Sequence, residues 1–148
     1  MWRTMRFALA LTLCLATLPA RAWEFEPLPV CTLRHDGDTL NVVLTYDPSR
    51  EDAYAIALTR AAPWPDAPLF GLRFDGPLGL LITTDRHVLS EGGRTLTVTD
   101  RGFGNVLNGL EFNLAATALT GPVAETVSLD GAAGPVQAFR ACRTPALS

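Results

Sequence analysis

Asp85, His87 and Ser90 fall within six consecutive positions of the stretch TTDRHVLSEGGRTLTVTDRGFG, residues 83–104. These are the residue types of a hydrolytic triad, in which serine attacks, histidine takes its proton and aspartate orients the imidazole. The local geometry opposes that chemistry. On an extended strand Asp85 and His87 point the same way, about 6.6 Å apart, and Ser90 points to the other face. A triad needs hydrogen-bond contact between successive members, and no Gly-x-Ser-x-Gly elbow exposes the serine. Gly92-Gly93 reads as a hairpin turn, so the stretch is expected to be a solvated hairpin.

A second group is RHDGDTL, where His35, Asp36 and Asp38 resemble metal ligands that His87 could join from elsewhere in the fold. A closed zinc site needs three or four converging ligands, and the chain has only two histidines. Asp36-Gly37 is also the dipeptide that two-residue hairpin turns favour, because it tolerates positive φ. The group therefore reads as a structural turn, and no metal is expected. Around Phe103, Gly102-x-Gly104 lacks a third glycine and reads as a tight crossing with Phe103 plugging the core. No cofactor is expected.

The strongest functional lead is AAPWPDAPLF, in which Pro63, Pro65 and Pro68 stiffen the chain around Trp64. Two readings stand side by side. Pro63, Trp64, Pro65 and Asp66 form an interaction surface, since a rigid aromatic anchors an interface at low entropic cost. Alternatively Trp64 folds back over an open end of the core, as large aromatics usually do, and the prolines guard an edge strand.

The elements that must position these residues are mostly strands. TLNVVLTY, YAIALT, LFGLRF, RTLTVT and ETVSL alternate apolar and polar or small residues with period two. Turn signals separate them: Asp36-Gly37, Asp47-Pro48, Asp75-Gly76-Pro77, Gly92-Gly93, Asn108-Gly109 and Asp130-Gly131. The pattern predicts a mostly β fold, an antiparallel β-sandwich or barrel with one short C-terminal helix over GPVQAFRAC. In that helix Pro135 suits the first position, Val136, Phe139 and Cys142 face inward, and Arg140 and Arg143 suit the C-terminal end of the dipole. LAATAL, before Gly121-Pro122, reads equally as one further turn of helix or as a continuation of the strand LEF. The only internal echo is TTDR (83–86) in VTDR (98–101), two matching turns.

The N-terminal segment reads as an export leader. Arg3 and Arg6 precede the apolar FALALTLCLATL, and Ala20-Arg21-Ala22 offers a small-x-small cleavage site. The apolar run is too short to span a bilayer, so no membrane span is expected. The expected organisation is a signal peptide over residues 1–22 and one β-rich domain over 23–148. Removing Arg3, Arg6 and Arg21 leaves nine arginines against fifteen acidic residues, a net charge of −6. Such a surface repels phosphate backbones, so no nucleic-acid partner is expected. The chain has no lysine, which excludes a phosphate-loop lysine and a lysine nucleophile. Beyond the leader, Cys31 and Cys142 remain, and two thiols in an oxidising compartment are expected to pair.

The segments WEFEPLPVCTL, YAIALTRAAPWPDAPLFGLRFDGP, TDRHVLSEGGRTLTVTDRGFGNVLNGLEFN and LDGAAGPVQAFRAC together resemble a group of small exported alphaproteobacterial proteins of unknown function. The resemblance covers nearly the whole chain after the leader. Some members carry the name excinuclease B, which denotes a large cytosolic DNA-repair ATPase; a short exported chain without lysine contradicts that name. The ending VSLDGAAGPVQAF is similar to that of invasion-associated locus B proteins, which are exported β-rich modules. Neither resemblance implies catalytic residues. The expected function is a non-enzymatic exported β-module, periplasmic or secreted, that binds a protein or small-molecule ligand in the cell envelope. The alternatives are a small hydrolase or metal-dependent enzyme using His35 or His87, and a protein inhibitor of an extracytoplasmic enzyme.

Overall fold

The computed structural model describes residues 22–142. The expected leader, apart from Ala22, and Arg143 lie outside the described residues. Ten strands and two helices follow in the order β1 (Glu24–Glu26), β2 (Cys31–Asp36), β3 (Asn41–Tyr46), β4 (Tyr54–Thr59), β5 (Phe70–Asp75), β6 (Leu80–Thr84), β7 (Val88–Ser90), β8 (Thr95–Asp100), α1 (Gly104–Phe112), β9 (Ala115–Thr120), β10 (Val123–Ser128) and α2 (Ala133–Ala141). They form two antiparallel sheets, β1-β2-β3-β4-β8-β7 and β10-β9-β5-β6. The fold is the expected β-sandwich, with a short C-terminal helix and a second helix besides.

Register explains the core. In the six-stranded sheet, Leu33, Leu44, Ile56 and Val98 stand in one row, and His35, Val42, Leu58 and Leu96 in the next. In the four-stranded sheet, Val127, Ala116, Phe74 and Leu80 form one row, beside Glu125, Ala118, Leu72 and Ile82. Period-two alternation turns these rows toward each other, and most of their members are buried. Alanines on β9 beside Phe74 and Leu72 on β5 alternate small with large, which lets the facing layers interdigitate. LAATAL is thus a strand: its small residues make room in the core.

Helix α1 is the main departure from the sequence reading, which places a turn at Asn108-Gly109 and a strand after it. Val106, Leu107 and Leu110 recur at helical spacing and are buried. Gly109 faces Phe74, and a Cβ there would come within 2.3 Å of the phenyl ring carbons. The glycine that resembles a turn signal is a place where a ring lies against helix backbone.

Two smaller differences have local causes. Asp36 pairs with Asn41, so the β2–β3 connection spans residues 37–40, closed by the Gly37 N–H on the Leu40 carbonyl at 3.0 Å. It is not a two-residue turn. Helix α2 begins two residues before Pro135, which still sits in the first turn where a missing N–H costs nothing. Cys142, just beyond α2, is bonded to Cys31 at the start of β2, with Cα atoms 6.1 Å apart and 111 positions between them. The expected bridge is present. Among the described residues no helix is long and apolar enough to cross a membrane.

Candidate functional site

The Trp64 segment is where the sequence placed most functional weight, and its indole is buried. Trp64 is 3% exposed. Its Nε1–H donates to the Leu58 carbonyl at 3.0 Å and its backbone N–H to the Gly93 carbonyl at 2.8 Å. The Arg60 guanidinium lies 5.2 Å from the ring centroid and donates to the Pro63 carbonyl at 3.1 Å. Arg60 also pairs with Glu125 at 3.2 Å, the two side chains 16% and 18% exposed. Glu125 stands on the inward row of the outer strand β10, so this pair closes that edge of the sandwich. Pro63 and Asp66 are exposed and Pro65 half-buried; they cap a core residue instead of presenting one.

The two histidines sit in different surroundings. His35 is 7% exposed and stacks on Trp23, centroids 4.8 Å apart at an interplanar angle of 12°. Trp23 is itself buried and donates its indole N–H to the Ser128 carbonyl at 3.0 Å. His87 lies between β6 and β7 with Nε2 3.0 Å from the Ala67 carbonyl oxygen and its ring 6.2 Å from that of Phe70. Its Nδ1 is buried without a hydrogen-bond partner, so no relay to Asp85 or Ser90 is formed. Ser90 is exposed at the end of β7. Among the described residues no group of three or more His, Cys, Asp or Glu could hold a metal ion.

A cleft of about 640 Å³ opens where β6, the second half of β8 and the start of α1 meet. Its inner part is lined by Ile56 and Val98 from one sheet, Leu72 and Ile82 from the other, and Phe103 and Val106 from α1 and its approach, and polar groups line as much of its surface. It exists because β7 is short. β7 pairs with β8 only as far as Thr97, so among the described residues positions 98–100 have no strand neighbour on that side. β6 is the outer strand of its own sheet, so both layers end here.

The mouth is polar. Arg86 Nη2 reaches Asp100 Oδ2 at 3.2 Å across the opening, with side chains 61% and 46% exposed. Each partner is oriented locally: the Arg86 N–H donates to Thr84 Oγ1 at 3.1 Å, and the Arg101 N–H to Asp100 Oδ1 at 2.7 Å. Asp85, Asn105 and Gly104 complete the rim. Phe103, in the capping position of α1, provides no side-chain cap, so the positive end of the helix dipole lies at the lip.

Sequence reasoning misses this site, although a signal for it is present. The echoed TTDR and VTDR lie on the two sides of the mouth, and the arginine of the first pairs with the aspartate of the second. A cleft of this size, with apolar and polar groups in its lining, has the volume of a small-ligand or side-chain pocket. Its polar lining is Thr83, Thr84, Asp85, Arg86, Asp100 and Asn105. Comparison with known proteins found no family model that matches the chain, and no curated protein or solved structure that matches it.

Proposed function

We propose that this protein is an exported binding module whose site is the cleft between β6 and β8. The apolar part of a ligand enters between Ile56, Leu72, Ile82 and Val98, and its polar end meets Arg86 and Asp100. The observation that carries this reading is the cleft itself, a pocket of about 640 Å³ lined by apolar and polar groups in near-equal measure, whose mouth is bridged by an exposed ion pair. Burial of apolar surface supplies the affinity, at roughly 25 cal/mol per Å² before the costs of association. The ion pair costs little to open, because exposed pairs contribute about 0–1 kcal/mol.

The Cys31–Cys142 bridge and the leader-like N-terminus support an oxidising, extracytoplasmic location. The inhibitor reading loses its anchor, since Trp64 is buried. The hydrolase or metal-enzyme reading needs His35 or His87 beside another ligand or nucleophile. The bond of His87 to the Ala67 carbonyl gives that reading no support at His87.

The test is titration of the oxidised protein with a solvatochromic apolar dye, followed by backbone amide NMR. The proposal expects shifts confined to residues around the cleft, and loss of dye binding when Val98→Trp fills it. Dye binding unchanged in a folded Val98→Trp protein contradicts the site.

A further inference from the structure

We infer that the group held by the cleft belongs to an extended peptide, which adds to the sandwich as a further strand beside β6. This rests on the cleft being the binding site. β6 pairs with β5 on one side, and among the described residues no strand lies on the other. Alternate N–H and C=O groups therefore face outward, in a row whose natural complement is another strand.

The other sheet edges are guarded and this one is not. β1 carries Glu24 and Glu26 and runs into Pro27 and Pro29. β10 follows Pro122 and turns Glu125 inward against Arg60. β7 is only three residues long. Charge, proline and brevity are the usual devices that keep an edge from pairing. β6 reads Leu-Leu-Ile-Thr-Thr, five residues without charge, proline or glycine, and Leu81 on its outward face is 57% exposed.

The edge and the cleft are continuous. Ile82 and Thr84, on the inward face of β6, also line the cleft. A strand about 4.8 Å beyond β6 sets its own inward side chains over the same space. Ile56 and Val98 of the facing sheet then become their partners, and the missing neighbour of residues 98–100 leaves room for them. The chemistry of the peptide follows from the surface it meets. Its central residues alternate, with apolar side chains inward and small or polar ones outward. A charged or polar residue stands at the end beside Arg86 and Asp100. The length of β6 limits the paired stretch to about five residues, roughly 17 Å.

The experiment selects binders from a displayed library of random segments of about eight residues, long enough to span a strand, against the oxidised protein. The selected peptides are then synthesised with single N-methyl groups at each position in turn. The inference expects alternating apolar sequences and slowed amide exchange at residues 80–84. It also expects a loss of about tenfold or more in affinity for N-methylation at alternate positions only, because only every second amide faces β6. Two results overturn it. In one, peptides bind but exchange at residues 80–84 is unchanged. In the other, no peptide binds while the apolar dye does and Val98→Trp abolishes it; the cleft is then a site for another ligand class. If neither peptide nor dye binds, the reading of the cleft falls as well.

Discussion

The Phe74 ring lies directly against the backbone of α1 at Gly109, where even a methyl group has no room. Phe74 sits on β5 and is 1% exposed, so this contact joins the four-stranded sheet to the helix that forms one side of the cleft. Gly109→Ala gains helix propensity, worth about 1 kcal/mol, and meets an aromatic ring. Overpacking of this kind costs about 1–3 kcal/mol. The net expectation is lower stability in denaturant titration, partly recovered when Phe74→Leu is added. A Gly109→Ala protein more stable than the parent would show that the ring yields freely.

The bridge between Cys31 and Cys142 closes a loop of 111 positions. Restriction of the unfolded chain by a loop of that size is worth about 4.7 kcal/mol on the entropic model. The double variant Cys31→Ser, Cys142→Ser is expected to lose stability on that scale, with native strand content retained if it still folds. Its midpoint of denaturation is the measurement. A midpoint equal to that of the oxidised parent contradicts the clamp.

Trp64 is buried in the core. Trp64→Ala is expected to cost about 3–5 kcal/mol, the range for buried aromatics, and its neighbour Asp66→Ala less than about 0.5 kcal/mol. Thermal unfolding of the two variants separates the readings, since an exposed contact at Trp64 would make Trp64→Ala cost as little as Asp66→Ala.

The Asp47 side chain accepts from the Ser49 hydroxyl at 2.6 Å and from the Ser49 N–H at 3.0 Å. Above all the hydroxyl bond, then the backbone bond, holds its carboxyl below the ordinary aspartate value of 3.8. A depressed value means that the contribution is present above the unfolded pKa and is lost as pH falls through the folded one. Ser49→Ala removes the larger cause. NMR titration of the carboxyl should show its midpoint moving up toward that of a free aspartate; no movement would contradict the assignment.

Most of the sandwich was legible because its strands obey one rule. Leu44, Ile56, Leu58 and Leu72 alternate with polar or small residues and are all buried. The bridge was legible from two cysteines and a leader-like N-terminal pattern. Helix α1 was not, since its two glycines mimic turn signals and the reason for Gly109 is a ring 35 positions earlier in the chain. Trp64 was ambiguous because proline stiffening serves a cap and a contact equally well. The cleft was illegible for a different cause. It is the space left where β7 stops short, and only the register of β7 on β8 reveals it. The echo of TTDR in VTDR marked both sides of its mouth, but nothing local set Arg86 beside Asp100.

The most direct test of the cleft as a binding site is the backbone amide NMR map of the oxidised protein, with and without an apolar probe, in the parent and in Val98→Trp. Binding there predicts shifts clustered at Ile56, Leu72, Ile82, Val98 and Val106, with a response at Arg86 and Asp100, and no such cluster in the filled variant. Shifts centred on residues 61–69, or a pattern unchanged by Val98→Trp, would contradict it.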